Sequence, residues 1–109
     1  MSETQLGKIK SAAFGWGGYQ DAMIGLSLVL EGQAWGVGDF KGAWGIDRSD
    51  YAKWTERDRE ERLGQACMFV RDLLRKAKKQ TVDQLAGVPI EATFDGNKLV
   101  SWRVLEEVL

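Results

Sequence analysis

The sequence predicts an α+β domain: an antiparallel sheet in the order β-β-β-α-β-β, with one long amphipathic helix packed on one face. Three stretches carry that expectation. Residues 23–30 alternate large apolar Ile24, Leu26, Leu28 and Leu30 with small Gly25 and Ser27, a period of two. Residues 55–79 place Leu63, Ala66, Cys67, Val70, Leu73, Leu74 and Ala77 at three- and four-residue steps, a helical stripe flanked by Phe69. Asp95-Gly96-Asn97 separates two further alternating runs and reads as a hairpin turn.

Taken along the chain, residues 1–7 are polar and are expected to form a flexible end. Residues 8–54 form a Gly/Trp-rich β-meander. Its first strand is expected over Lys8–Phe14, with Gly15-Trp16-Gly17-Gly18 as a turn, because glycine reaches positive φ without strain. Ile24, Leu26, Leu28 and Leu30 should face the core, and Glu31-Gly32-Gln33 should turn the chain. A third strand over Ala34–Phe40 would put Trp35 and Val37 on one face and end at Lys41-Gly42. Residues 43–54 then read as an ordered loop.

Thr55-Glu56-Arg57-Asp58 has the form of a capping box at the start of the 55–79 helix. Acids gather at its beginning and Arg71, Arg75, Lys76, Lys78 and Lys79 at its end, both favourable to the helix dipole. Gly64 costs about 1 kcal/mol in a helix relative to alanine, so a close backbone contact is expected there. Residues 81–87 read as a short helical turn ended by glycine, and residues 88–107 as a β-hairpin containing Trp102.

Composition removes several kinds of chemistry. The 109 residues make one domain. The chain has no histidine, which excludes Ser-His-Asp and Cys-His nucleophile activation and histidine metal ligation. One cysteine, Cys67, cannot form an internal disulfide; on the helical stripe it reads as a small core hydrophobe. No cofactor and no metal site is expected, and the protein is read as a non-enzymatic binder. Fifteen basic and sixteen acidic residues give a net charge of −1, so nothing global attracts nucleic acid or an anionic membrane, although a local basic patch would still suit a nucleic acid. With no apolar run long enough to span a bilayer and no apolar leader, the expected location is cytoplasmic.

The aromatic and glycine content is concentrated. Eight of eleven aromatics and nine of thirteen glycines lie between residues 14 and 54, and the tripeptide Ala-Trp-Gly occurs twice, at 34–36 and 43–45. Tryptophan rings either fill a core or stack on a ligand or partner. The candidate binding residues are Trp16, Tyr19, Trp35, Trp44 and Trp54, with Arg103 either paired to a helix acid or acting as an anion clamp. Gly36 and Gly45 are expected to make room for the tryptophans beside them. Asp39, Asp47 and Asp50 match no calcium-loop spacing and read as turn caps and solvated acids rather than the centre of a metal-dependent hydrolase. Arg57, Arg59 and Arg62 should pair locally with acids at four-residue spacing, and the basic helix end is read first as dipole complementation.

The run Gly87–Leu105 resembles the tail of small phage and prophage proteins, and Gly18–Ser27 and Gly36–Phe40 are similar to the same group. No catalytic or binding residues carry over. The resemblance implies a phage-encoded accessory protein of the host cytosol, of the kind that counters host defence by sequestering an immune nucleotide or by occupying a host protein. A homo-oligomer is expected. The alternative is a single-stranded nucleic-acid-binding accessory protein that uses aromatic platforms and the basic helix end.

Overall fold

The computed structural model describes residues 2–109. It has the expected fold class: one antiparallel five-stranded sheet and one long helix. The strands are β1 (Ser2–Gly17), β2 (Met23–Gly32), β3 (Trp35–Trp44), β4 (Pro89–Asp95) and β5 (Lys98–Val104), and the helix is α1 (Glu56–Ala77). Spatial order is β3-β2-β1-β4-β5.

The long central strand corrects the reading of the N-terminal end. Residues 2–7, expected to be flexible, pair with β4 from Ser2↔Asp95 to Gly7↔Ile90, and Lys8 follows opposite Pro89; Met1 lies outside the described residues. Residues 7–17 pair with β2. Gly15–Gly17, expected as a turn, continue the strand, and the chain turns at Gly18, whose φ is 68°. β1 thus serves two three-stranded halves that overlap only at Gly7 and Lys8. Between Ile9 and Ser11 the register with β2 shifts, and Lys10 is the extra residue of a bulge. A bulge bends its strand and increases its twist. It also reverses which residues face inward: Gln5, Gly7 and Ile9 before it, Ala12, Phe14 and Trp16 after it.

β2 buries Leu26, Leu28 and Leu30 as its periodicity requires. Its hairpin to β3 turns on Gln33-Ala34, one residue later than expected, with Ala34 at φ 65°. β3 runs on through Lys41-Gly42 to Trp44, because Gly42 pairs with Gly25 at a point where a Cβ on either residue would collide with the neighbouring backbone. The loop to α1 is correspondingly shorter, residues 45–54.

The core is formed by Ile9, Leu26, Leu28, Leu30, Leu73, Ala77, Leu85, Val88, Ile90 and Val104. α1 contributes Leu73 and Ala77 to it, with Phe69, Val70 and Leu74 packed alongside. Two helix expectations are overturned. Cys67 is exposed, because the buried seam through Ala66, Leu73 and Ala77 is narrower than the apolar stripe. Gly64 has open space around it, so no close contact explains it.

The sheet is strongly curled. β3 and β5 are its opposite edges, which a flat five-stranded sheet would hold roughly 19 Å apart. Yet Trp102 Nε1 of β5 donates to Asp39 Oδ2 of β3 at 2.9 Å, and Phe69 of α1 sits edge-on to the Trp102 ring. Asp39 is therefore a strand residue engaged across the curl and not a free loop acid, and no group of three or more His, Cys, Asp or Glu side chains placed to hold a metal ion occurs among the described residues.

Candidate functional site

The loop between β3 and α1 owes its shape to two arginines. Arg48 Nε donates to the Trp54 carbonyl at 2.6 Å and its Nη2 to the Ala52 carbonyl at 3.3 Å, closing residues 48–54 into a compact turn. Arg59, from the first turns of α1, donates to the Ile46 carbonyl and lies with its guanidinium carbon 4.5 Å from the Trp54 ring centroid. That cation–π contact presses the indole flat. The Gly45 amide donates to the Ala22 carbonyl, fixing the loop's start to the short 3-10 turn Tyr19–Asp21.

This frame gathers three of the predicted residues. Trp44 and Trp54 lie nearly parallel, 13° apart in plane with centroids 6.3 Å apart, and Tyr19 meets Trp44 edge-on at 6.4 Å. Beside the tryptophans is an open pocket of about 620 Å³, within the usual size of small-molecule sites. Trp44, Trp54, Lys53, Arg59, Arg62 and Gln65 line it together with Asp58 and Glu61.

The charges of this pocket are unequally engaged. The Asp58 carboxylate accepts from the Thr55 amide at 2.9 Å, while Thr55 Oγ1 accepts from the Asp58 amide at 3.1 Å, completing the expected capping box. Those hydrogen bonds, above all the one from the Thr55 amide, hold the Asp58 carboxyl below the usual carboxylate range. Glu61 is paired with Arg57 at 3.2 Å, and Arg59 with Glu56 at 3.6 Å. Lys53 and Arg62 have no acidic partner among the described residues. Four-residue pairing thus holds for Arg57 with Glu61, whereas Arg59 pairs at three residues with Glu56 and Arg62 has no such pair among the described residues. The pocket offers an indole wall and two cations available to an anion.

The remaining predicted residues lie elsewhere. Trp35 packs into the sheet: its ring meets Phe94 edge-on at 5.0 Å, in a slot left by Gly7 and Gly32 on neighbouring strands. A Cβ on Gly7 would lie 2.7 Å from the indole, and one on Gly32 would strike its Nε1. A Cβ on Gly36 would meet only the Leu30 carbonyl, at 3.8 Å, across the strand pair; Gly45 makes room for Trp16, whose ring would lie 2.6 Å from a Cβ there. Trp16 is 61% exposed, on the face of the sheet opposite Trp44, and makes no ring contact with the cluster. Arg103 is not paired with an acid of α1. It bonds to Glu91 at 3.1 Å and, through both terminal nitrogens, to Glu107 at 3.1 Å, and this fork lowers the Glu107 pKa.

Sequence reasoning did not single out Lys53, Arg62 or Gln65 for a site. The available signal was the spacing of Arg59, Arg62 and Gln65, three residues apart and hence on one helix face, close behind Trp54. The basic end of α1 is a different surface. Arg71 bonds to Asp72 and Lys78 to the Leu109 carbonyl, and Lys78 lies sixteen residues, roughly 24 Å of helix, beyond Arg62.

Among the described residues no helix is long and apolar enough to cross a membrane. The chain matches no known protein-family model, no curated protein and no solved structure.

Proposed function

We propose that the protein binds a nucleotide-class ligand, a flat ring carrying phosphate, in the Trp44–Trp54 pocket, and holds it without chemical turnover. The observation that carries this reading is the coincidence, in one concave site, of two near-parallel indoles with the unpartnered cations of Lys53 and Arg62. Indole faces stack on any base, and cations at the rim neutralise phosphate. Binding without turnover is supported by the absence of histidine from the sequence. The resemblance to small phage proteins supplies the proposed setting, counter-defence by withdrawal of an immune nucleotide. The same aromatic surface would serve blockage of a host protein. Use of the basic helix end for single-stranded nucleic acid is less favoured, because that end is remote from the rings.

Isothermal titration against a panel of mono-, di- and cyclic nucleotides tests the proposal. Saturable binding is expected, with recovered ligand unchanged in mass. Trp44→Ala and the double variant Lys53→Glu/Arg62→Glu should each weaken binding at least tenfold while the far-ultraviolet circular dichroism stays that of the parent. Absence of binding by every nucleotide at millimolar concentration, or full affinity in Trp44→Ala, would exclude this site.

A further inference from the structure

The second half of β1 has a bare edge. β4 pairs with β1 only as far as Lys8. At the next residue the Ile9 amide donates to the Val88 carbonyl at 2.9 Å and the Ile9 carbonyl accepts from Gly87 at 2.7 Å. Beyond Ile9 no strand lies on that side of β1.

Which backbone groups the bare edge presents follows from alternation. Ile9 turns its amide and carbonyl away from β2, so its partner Leu30 turns its own away from β1. Alternate residues of β2 then point the opposite way: Val29, Ser27 and Gly25 face β1 and bond with Ser11, Ala13 and Gly15. The Ala22 carbonyl, bonded to Gly45 on the β3 side, has the same parity as Leu30 and agrees. The groups directed outward are therefore those of Ala12, Phe14 and Trp16, and none has a hydrogen-bond partner among the described residues.

Edges of natural sheets are normally protected by charge, proline or cover. β3 has α1 against it, and β5 carries Lys98 and Arg103. Residues 11–17, Ser-Ala-Ala-Phe-Gly-Trp-Gly, contain neither a charge nor a proline. They leave Phe14 51% and Trp16 61% exposed.

We propose that this edge pairs antiparallel with the same edge of a second copy, about a two-fold axis at Phe14, joining two sheets into one. The pattern is self-complementary under that operation. Phe14 faces Phe14 of the second copy, bulky Trp16 faces small Ala12, and Ala13 faces Gly15. Three outward residues in each chain supply about six inter-chain backbone hydrogen bonds. No like charges meet, since Lys10 falls opposite Gly18 of the second copy. The length also fits. The second copy leaves its strand after Gly17, opposite Ser11, and turns at Gly18 before it would reach Val88, which occupies the edge at Ile9. The dimer does not depend on the nucleotide reading, because its residues lie outside the Trp44–Trp54 pocket.

Sedimentation equilibrium of the full chain at micromolar concentration is the direct test, and twice the chain mass is expected. Phe14→Lys, which sets two ammonium groups against each other at the axis, should raise the dissociation constant at least a hundredfold. Phe14→Pro should do the same while leaving the β1–β2 ladder intact, because the amide it removes points outward. Register is read separately in a Cys67→Ser background: Phe14→Cys should cross-link on oxidation, and Trp16→Cys, which faces Ala12, should not. A monomeric parent protein overturns the proposal. So does a dimer that survives both Phe14 substitutions with parental circular dichroism, or equal cross-linking at the two positions.

Discussion

Trp35 and Trp44 stand in the same tripeptide and face opposite sides of the sheet. Trp35 lies on the inner face, over the paired glycines Gly7 and Gly32, and fills a space that two absent side chains create. Its Nε1 is buried without a hydrogen-bond partner among the described residues. The ring's contribution is therefore packing, and the polar atom is a cost of about 1–3 kcal/mol. Trp35→Ala should destabilise the domain by about 3–5 kcal/mol, read as a shift of the urea midpoint. Trp35→Phe, which keeps a ring and removes the orphan donor, should cost much less; equal losses in the two variants would show that the indole's own shape is required. Trp44 belongs to the other face, and its removal should be felt in ligand affinity first. This division was not legible in the sequence. What separates the two residues is which glycines stand beside them on neighbouring strands, and cross-strand neighbours depend on register, which the Lys10 bulge changes.

At the scale of the element, α1 was the most legible part of the chain because its signals are local. Thr55 and Asp58 cap one another, as their spacing required. The consequence is a pH dependence with a definite sign. The folded-state pKa of Asp58 is depressed by hydrogen bonds from Thr55. Its contribution is therefore fully present above the ordinary carboxylate range and is lost as pH falls through the lowered value. Thermal melts followed at the helix band should show Asp58→Asn less sensitive than the parent to acidification below that range. An identical acid profile in the variant would mean that the cap does not contribute. The other end of α1 stops at Lys78, in the left-handed region at φ 59°, where glycine is usual. Lys78→Gly should stabilise by about 1 kcal/mol, offset by loss of the Lys78–Leu109 bond. What periodicity failed to reveal was the width of the buried seam: Cys67 shares the apolar stripe and still faces outward, since only the tertiary neighbours of α1 decide how much of the stripe is covered.

The whole molecule closes through one polar contact. Asp39 and Trp102 lie sixty-three residues apart in sequence and on opposite edges of the sheet, and their hydrogen bond holds the curl over the core. A partly buried bond to a carboxylate contributes about 1.5–3 kcal/mol. Asp39→Ala should lower stability by that order and loosen β5, visible as faster amide hydrogen exchange at residues 98–104; unchanged exchange there would assign the closure to the apolar core alone. Fold class was readable because strand alternation and the helical stripe are properties of single segments. The curl, the divided use of β1 and the Trp44–Trp54 pocket were not, because each joins residues that only pairing brings together.

The double service of β1 also sets an order on folding. Residues 7–17 find β2 a few residues downstream, whereas Ser2 waits for Asp95. Loop-closure entropy makes such distant pairings late. During synthesis the meander of residues 7–44 has its strand partners within reach early, while residues 2–6, which pair only with β4, remain without theirs until that strand exists. In that interval both halves of β1 are open to other chains, which makes the unfinished molecule most vulnerable to association through the strand that later organises it.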